Sequence, residues 1–178
     1  EVLLLGGLTL CASVFETGRN GTIKVDNTAF VQLLHYGENW VPNRQGDGSF
    51  NTQFTERDGV RSWSGVWKLR QSPVHPQFRT ELRTPDSGTL QLSLSLDSPE
   101  GVPTKAAALE IDLPVLNGAG TELLLDNKPV PLPVKFRGGT IAQQKNVRRI
   151  KLPLASGRLL AEPETPVAVQ VLDVRAYK

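Results

Sequence analysis

The chain has 178 residues, of which 39% are hydrophobic and 21% charged, with 20 Lys and Arg against 18 Asp and Glu. That size and composition suit one domain spanning residues 1–178 with a real core, and they exclude a disordered tail. The near-balanced charge lacks the concentrated basic stripe with interleaved aromatics that a nucleic-acid face needs, so no nucleic-acid partner is expected.

At the start of the chain, the run Val2 to Leu10 before Cys11-Ala12-Ser13 has the apolar look of a signal peptide or lipoprotein anchor. No basic residues precede it, and Leu10 stands where a lipoprotein site wants a small residue. The run is broken by glycine and too short to span a membrane. Leu8–Phe15 therefore reads as a strand, with Cys11 as a small buried hydrophobe; one thiol can form neither an internal disulfide nor a zinc site. Methionine is absent even from position 1, which fits a mature or excised piece of something longer.

Further along, polarity alternates with a period of two, the signature of a half-buried strand. It is clearest in Thr89–Leu96, where leucine takes every second position. The same reading predicts strands over Thr22–Val25, Ala29–His35, Arg61–Arg70, Gln77–Arg83, Ala107–Leu113, Glu122–Leu125, Val147–Leu154, Arg158–Ala161 and Val167–Val174. Turn chemistry separates them at Asn20-Gly21, Pro85-Asp86-Ser87-Gly88, Asn117-Gly118-Ala119-Gly120, Gly138-Gly139 and Ala155-Ser156-Gly157. Ala29–Tyr36 and Lys105–Ala108 are the best helix candidates, and neither is well capped. The fold expected is all-β: a two-sheet antiparallel β-sandwich of the jelly-roll or galactose-binding, supersandwich-like kind. Residues 37–59 break the rhythm and read as a long polar loop, either functional or a surface insertion.

The candidate ligand residues follow from this layout. Trp40 sits in the polar stretch among Asn39, Asn43 and Arg44, groups suited to sugar hydroxyls. Trp63 and Trp67 share one strand face with Gly65 between them, which makes either an open shelf for a sugar ring or ordinary core filling. The carboxylate pairs Glu110/Asp112 and Glu56/Asp58 share faces by period and read as solvent-facing pairs, so no catalytic dyad for glycoside hydrolysis is assigned. His35 and His75 are isolated, and no cluster has metal-ligand spacing. Serine elbows, phosphate-cradling loops and dinucleotide fingerprints are absent, so no cofactor is expected and no catalytic residue is assigned. Asn20-Gly21-Thr22 matches a glycosylation acceptor.

The tail Val169-Gln170-Val171-Leu172-Asp173-Val174-Arg175, together with Trp63-Ser64-Gly65-Val66-Trp67 and the two Ile-x-Leu-Pro strands at Ile111 and Ile150, resembles the N-terminal all-β accessory region of large bacterial glycoside hydrolases. The resemblance covers most of the chain and implies an accessory sandwich beside a catalytic domain in the same polypeptide; it maps no catalytic residue. The expected function is that of a non-catalytic carbohydrate-binding or accessory domain of an exported bacterial protein, secreted, periplasmic or at the cell surface, whose partner is a polysaccharide or oligosaccharide. An adhesion or assembly domain contacting another protein through a strand edge, and a β-fold polysaccharide hydrolase or lyase, are the alternatives.

Overall fold

The computed structural model describes residues 2–12, 14–98, 101–114, 118–136 and 138–175, with side chains other than those of 2–6, 49 and 50. Strands are numbered along the chain. The larger sheet, A, is antiparallel throughout and runs in the order β12 (Lys128–Pro131), β11 (Glu122–Leu125), β14 (Ile150–Leu154), β15 (Gly157–Pro163), β1 (Val2–Cys11), β9 (Thr89–Asp97), β8 (Gln77–Asp86), β7 (Val60–Trp67), β6 (Ser49–Arg57). Sheet B has β10 (Ala106–Asp112), β4 (Ala29–Tyr36), β3 (Ile23–Val25) and β2 (Phe15–Thr17) in that order, with β5 (Pro42–Arg44) also paired to β4. A separate ribbon joins β13 (Gly139–Val147) to β16 (Val167–Asp173). The fold is all-β and sandwich-like, as the alternation predicts.

Register explains the core. Leu8 and Leu10 of β1 face Leu92 and Leu90 of β9, while Phe78, Thr80 and Leu82 of β8 face Leu96, Leu94 and Leu92. These side chains lie on one face and are buried, while Gln91, Ser93 and Asp97 on the other face carry no such burden. From sheet B, Ile23, Val25, Ala29, Val31 and Leu33 meet them in the same apolar cluster. Each fully buried leucine contributes roughly 2 kcal/mol.

One buried polar side chain connects the layers. β3 and β5 both pair with β4, β3 across 29–31 and β5 across 34–36, which leaves a break in the ladder between them. The Leu33 N–H in that break donates to Gln45 Oε1 at 3.2 Å, and Gln45 Nε2 donates to the Asn20 carbonyl at 2.7 Å and to Thr80 Oγ1 of sheet A at 3.1 Å. Gln45 is fully buried, so its amide replaces the missing backbone partner. The Asn20-Gly21 turn fits beneath it: Gly21 has φ +79°, and a Cβ there would stand 3.1 Å from the Cβ atoms of Trp63 and Thr80. Only glycine meets both conditions without strain.

Several sequence expectations need correction. Leu8–Phe15 is not one strand: β1 ends at Cys11 in sheet A, and β2 begins at Phe15 in sheet B, with Ser13 outside the described residues. Cys11 alternates with Leu10 and so lies half-buried on the polar face, 3.9 Å from Thr89 Oγ1. Residues 37–59 are not a loop but a 3-10 turn (Glu38–Trp40), β5, a single helical turn (Gln45–Gly48) and the edge strand β6. β6 has few apolar residues because it is an edge, and the Phe50 side chain lies outside the described residues. Val147–Leu154 divides between β13 and β14, and both helix candidates are strand. Asn117, the first residue of one expected turn, lies outside the described residues.

Candidate functional site

The six candidate ligand residues fall into two sets. Trp63 and Trp67 project into the sandwich, 4% and 0% exposed, so their shared face is core and the shelf is not at the surface. Trp63 lies under the exposed Phe54 ring of β6, centroids 4.9 Å apart. The Trp67 indole N–H donates to the Arg44 carbonyl at 3.3 Å, and its ring meets His35 edge-on at 6.2 Å. Asn43 is also internal. Its Oδ1 accepts from the Arg70 N–H at 2.6 Å and its Nδ2 donates to the Val41 carbonyl at 3.2 Å, tying β5 to the segment after β7. These three residues hold the surface from beneath.

Trp40, Asn39 and Arg44 form the second set, on the outward face of sheet B. Tyr36 ends β4, and the chain reverses through the 3-10 turn, closed by Trp40 N–H to the Gly37 carbonyl at 3.2 Å. Within that turn Asn39 and Trp40 both have φ of 58°. A left-handed backbone costs a non-glycine residue roughly 1–2 kcal/mol, and asparagine tolerates it better than tryptophan. Trp40 is nevertheless 62% exposed, its ring 5.8 Å from that of Tyr36 and inclined at 60°. The strain at Trp40 thus secures no burial of the indole.

Arg44 sits on the same face, since Tyr36 pairs with Pro42 and Leu34 with Arg44. Its guanidinium grips Glu110 of β10 through two bonds, Nε to Oε2 at 2.8 Å and Nη2 to Oε1 at 2.9 Å, while Gln32 Nε2 donates to Oε2 at 2.9 Å. The bond to Glu110 raises the Arg44 pKa above its ordinary value against the opposing effect of burial. Both Glu110 oxygens are thereby occupied, and the two-pronged bond fixes the planar guanidinium on the face that carries Tyr36. Tyr36 and Glu110 escaped the sequence reading as site residues. The signal for Tyr36 was available, a polar-tipped aromatic at the end of a strand and four residues before an exposed tryptophan.

The other chemistry-bearing residues are structural or scattered. His35 Nε2 is 3.0 Å from Thr104 Oγ1, which donates onward to the Val102 carbonyl at 2.8 Å, so the imidazole N–H donates to the hydroxyl. Desolvation lowers the His35 pKa below its ordinary value of 6.5. The Asp-x-Arg of the tail is a clamp: Arg175 binds Asp173 through Nε and Nη2 at 2.8 and 2.6 Å, and also the carbonyls of Pro133 and Val134. Asn20 accepts from Thr22 Oγ1 at 2.9 Å and donates to the Gln45 carbonyl at 3.3 Å. Among the described residues no group of three or more His, Cys, Asp and Glu is placed to share a metal ion, and no helix is long and apolar enough to cross a membrane. Comparison with protein-family models, with curated proteins and with solved structures finds no match.

Proposed function

We propose that the chain is a non-catalytic carbohydrate-binding or accessory β-sandwich, and that it takes a polysaccharide or oligosaccharide on the outward face of sheet B at Trp40 and Tyr36. The reading rests on Trp40, which is 62% exposed on a left-handed backbone. Folding alone gains nothing from that placement, since an indole left in water forgoes roughly 2 kcal/mol of burial. A sugar ring gains, because its apolar face stacks on an indole while its hydroxyls reach polar groups alongside. Glu38 and Asn39 precede Trp40 in the same turn and are exposed, and the Arg44–Glu110 fork lies on the face that carries Tyr36. An exported bacterial setting and a catalytic domain in the same polypeptide, as in the glycoside hydrolases the sequence resembles, belong to the same proposal.

Affinity electrophoresis through gels carrying xylan, galactan, glucan or mannan tests it. The parent chain is expected to be retarded by at least one polymer. Trp40→Ala is expected to weaken that retention about tenfold or more, a loss of roughly 1.4 kcal/mol, with the thermal midpoint nearly unchanged. Equal retention of parent and variant would sink the assignment of Trp40, and a parent indifferent to every polymer would sink the glycan reading.

A further inference from the structure

A cleft of about 750 Å³ opens where sheet B ends, and it is bordered by an unusual combination of strands. Residues 107–114, along and just beyond β10, and residues 167–175, along and just beyond β16, line it without a break. A strand that turns a face to a cleft contributes alternate residues. Unbroken lining means that both strands meet the cleft with their edges.

Those edges are unmatched among the described residues. There β10 has a ladder with β4 only, and β16 with β13 only. No backbone hydrogen bond outside these ladders involves 107–111 or 167–172 among the described residues. The apolar side chains around the cleft are correspondingly unfinished: Leu109, Ile111, Leu132, Ile150, Val169 and Val171 pack against the core and remain only partly buried. Every position of β10 is intermediate in exposure, whereas β9 alternates between buried inward leucines and exposed or partly exposed polar residues.

The other sheet edges carry the usual defences against pairing. β2 and β5 are three residues long, β12 carries Pro129 and Pro131, β6 ends in Glu56 and Arg57, and β13 is bulged twice and bears Lys145. β10 and β16, Ala-Ala-Ala-Leu-Glu-Ile-Asp and Val-Ala-Val-Gln-Val-Leu-Asp, are seven residues each with no proline, lysine or arginine. Their acids are Glu110, which Arg44 and Gln32 hold, and the last residue of each strand, so the middle of each edge carries no free charge.

We infer that the cleft is a strand-acceptor site, in which an extended polypeptide segment with alternating apolar side chains pairs its backbone with β10 and with β16 and buries those side chains against the walls. The two edges specify a peptide, because they present rows of N–H and C=O groups that a lipid tail cannot satisfy. Every strongly alternating run among the described residues already lies in a sheet, so the occupant is a further segment beyond those runs. The cleft reaches Tyr36, Arg44 and Glu110 at one end and so adjoins the proposed glycan face, but Trp40 does not line it, and protection of backbone amides is read without any glycan.

Hydrogen exchange measured amide by amide tests the inference, with acetylated peptides of the pattern Lys-Val-Thr-Val-Thr-Val-Lys and its Ile and Leu counterparts as probes. Within 107–111 and 167–172, the alternate amides that do not donate to β4 or β13 are expected to exchange freely on the open edges of the unliganded protein. Saturating peptide is expected to slow them about tenfold or more, while a peptide with proline at alternate positions has no effect. Leu109→Lys, at a half-exposed wall position, is expected to abolish that protection while hydrogen exchange in β8 and β9 stays as in the parent. Protection of both edges without peptide, rising with protein concentration, would mean that a second copy fills the cleft and overturns the inference. So would protection confined to β6 or β12, displacement by decanoate with no amide protected, or no protection by any peptide at millimolar concentration.

Discussion

Leu92 and Leu109 are the same side chain on two strands that both face inward, yet one is sealed and the other is not. Leu92 lies in the middle of sheet A between β1 and β8, with sheet B above it, and is 3% exposed. Leu109 lies on the margin strand of sheet B, pairs with Leu33 on one side and meets the cleft on the other. An alternating sequence states which way a side chain points. It does not state whether a second layer reaches far enough to cover it.

The difference is measurable as a pair of truncations. Leu92→Ala removes packed methyl groups and leaves a cavity that its neighbours cannot fill, at a cost of about 3–5 kcal/mol. Leu109→Ala removes groups already beside open space, where no enclosed cavity results, at a cost of about 1 kcal/mol. Urea unfolding midpoints of the two variants at pH 7.5 check the ratio. Equal losses would mean that the cleft is closed in solution, and they would remove the contrast between the two halves.

Gln45 sharpens the same contrast from the other side. Sheet B has one break in its pairing that is plugged, where Gln45 and Gln32 meet the backbone of Leu33 and Gly46, and one long edge at β10 that is not. Gln45→Leu keeps the volume and deletes the plug. It strands the Leu33 N–H, the Asn20 carbonyl and the Thr80 hydroxyl, each worth about 1–3 kcal/mol when buried without a partner. A net loss of about 3 kcal/mol is expected in the same urea assay. A loss below about 0.5 kcal/mol would show that water takes the place of the amide.

The contrast also marks what the sequence made legible. β9 and the first half of β8 announce themselves because both of their faces have fixed environments, apolar within and aqueous without, so alternation is nearly complete. β6, β12 and β13 do not, since an edge strand buries less and takes on charge, proline and bulges to avoid pairing. Two of these hairpins had a readable sign of another kind. Asp58-Gly59 and Asp126-Asn127 are two-residue loops with φ of 53° and 73°, and 49° and 70°, the turn geometry that favours these residues between strands. For the candidate site, polarity around a tryptophan separated Trp40 correctly as exposed, but Asn43 was indistinguishable from a surface asparagine. Its position depends on Arg70, whose backbone it binds across 27 residues of chain. Glu110 became relevant only through register with Gln32, a pairing that no local pattern discloses.

The smallest expected effect concerns His35, which stands at the seam between the two halves: the inward face of β4, beside Trp67 and across from Ala107 of β10. Its ring is held neutral by burial, donating to Thr104 and lying 3.4 Å from Asn43 Nδ2, which is itself a donor and so favours a bare Nδ1. The folded-state pKa therefore lies below 6.5, and the unfolded chain takes up the proton first as pH falls. The stabilisation due to the neutral ring is complete above 6.5 and is lost progressively as pH falls below that value towards the lowered folded-state pKa. His35→Gln removes the titrating group while retaining an amide that can bond Thr104, so the stability gap between parent and variant should narrow between pH 7.5 and 5. Urea midpoints of both proteins across that range measure the gap directly, because every other group is common to the two proteins. A gap that stays constant through pH 5 would mean that the imidazole titrates alike in the folded and unfolded chain, and that the seam at β4 is as open to water as the cleft beyond β10.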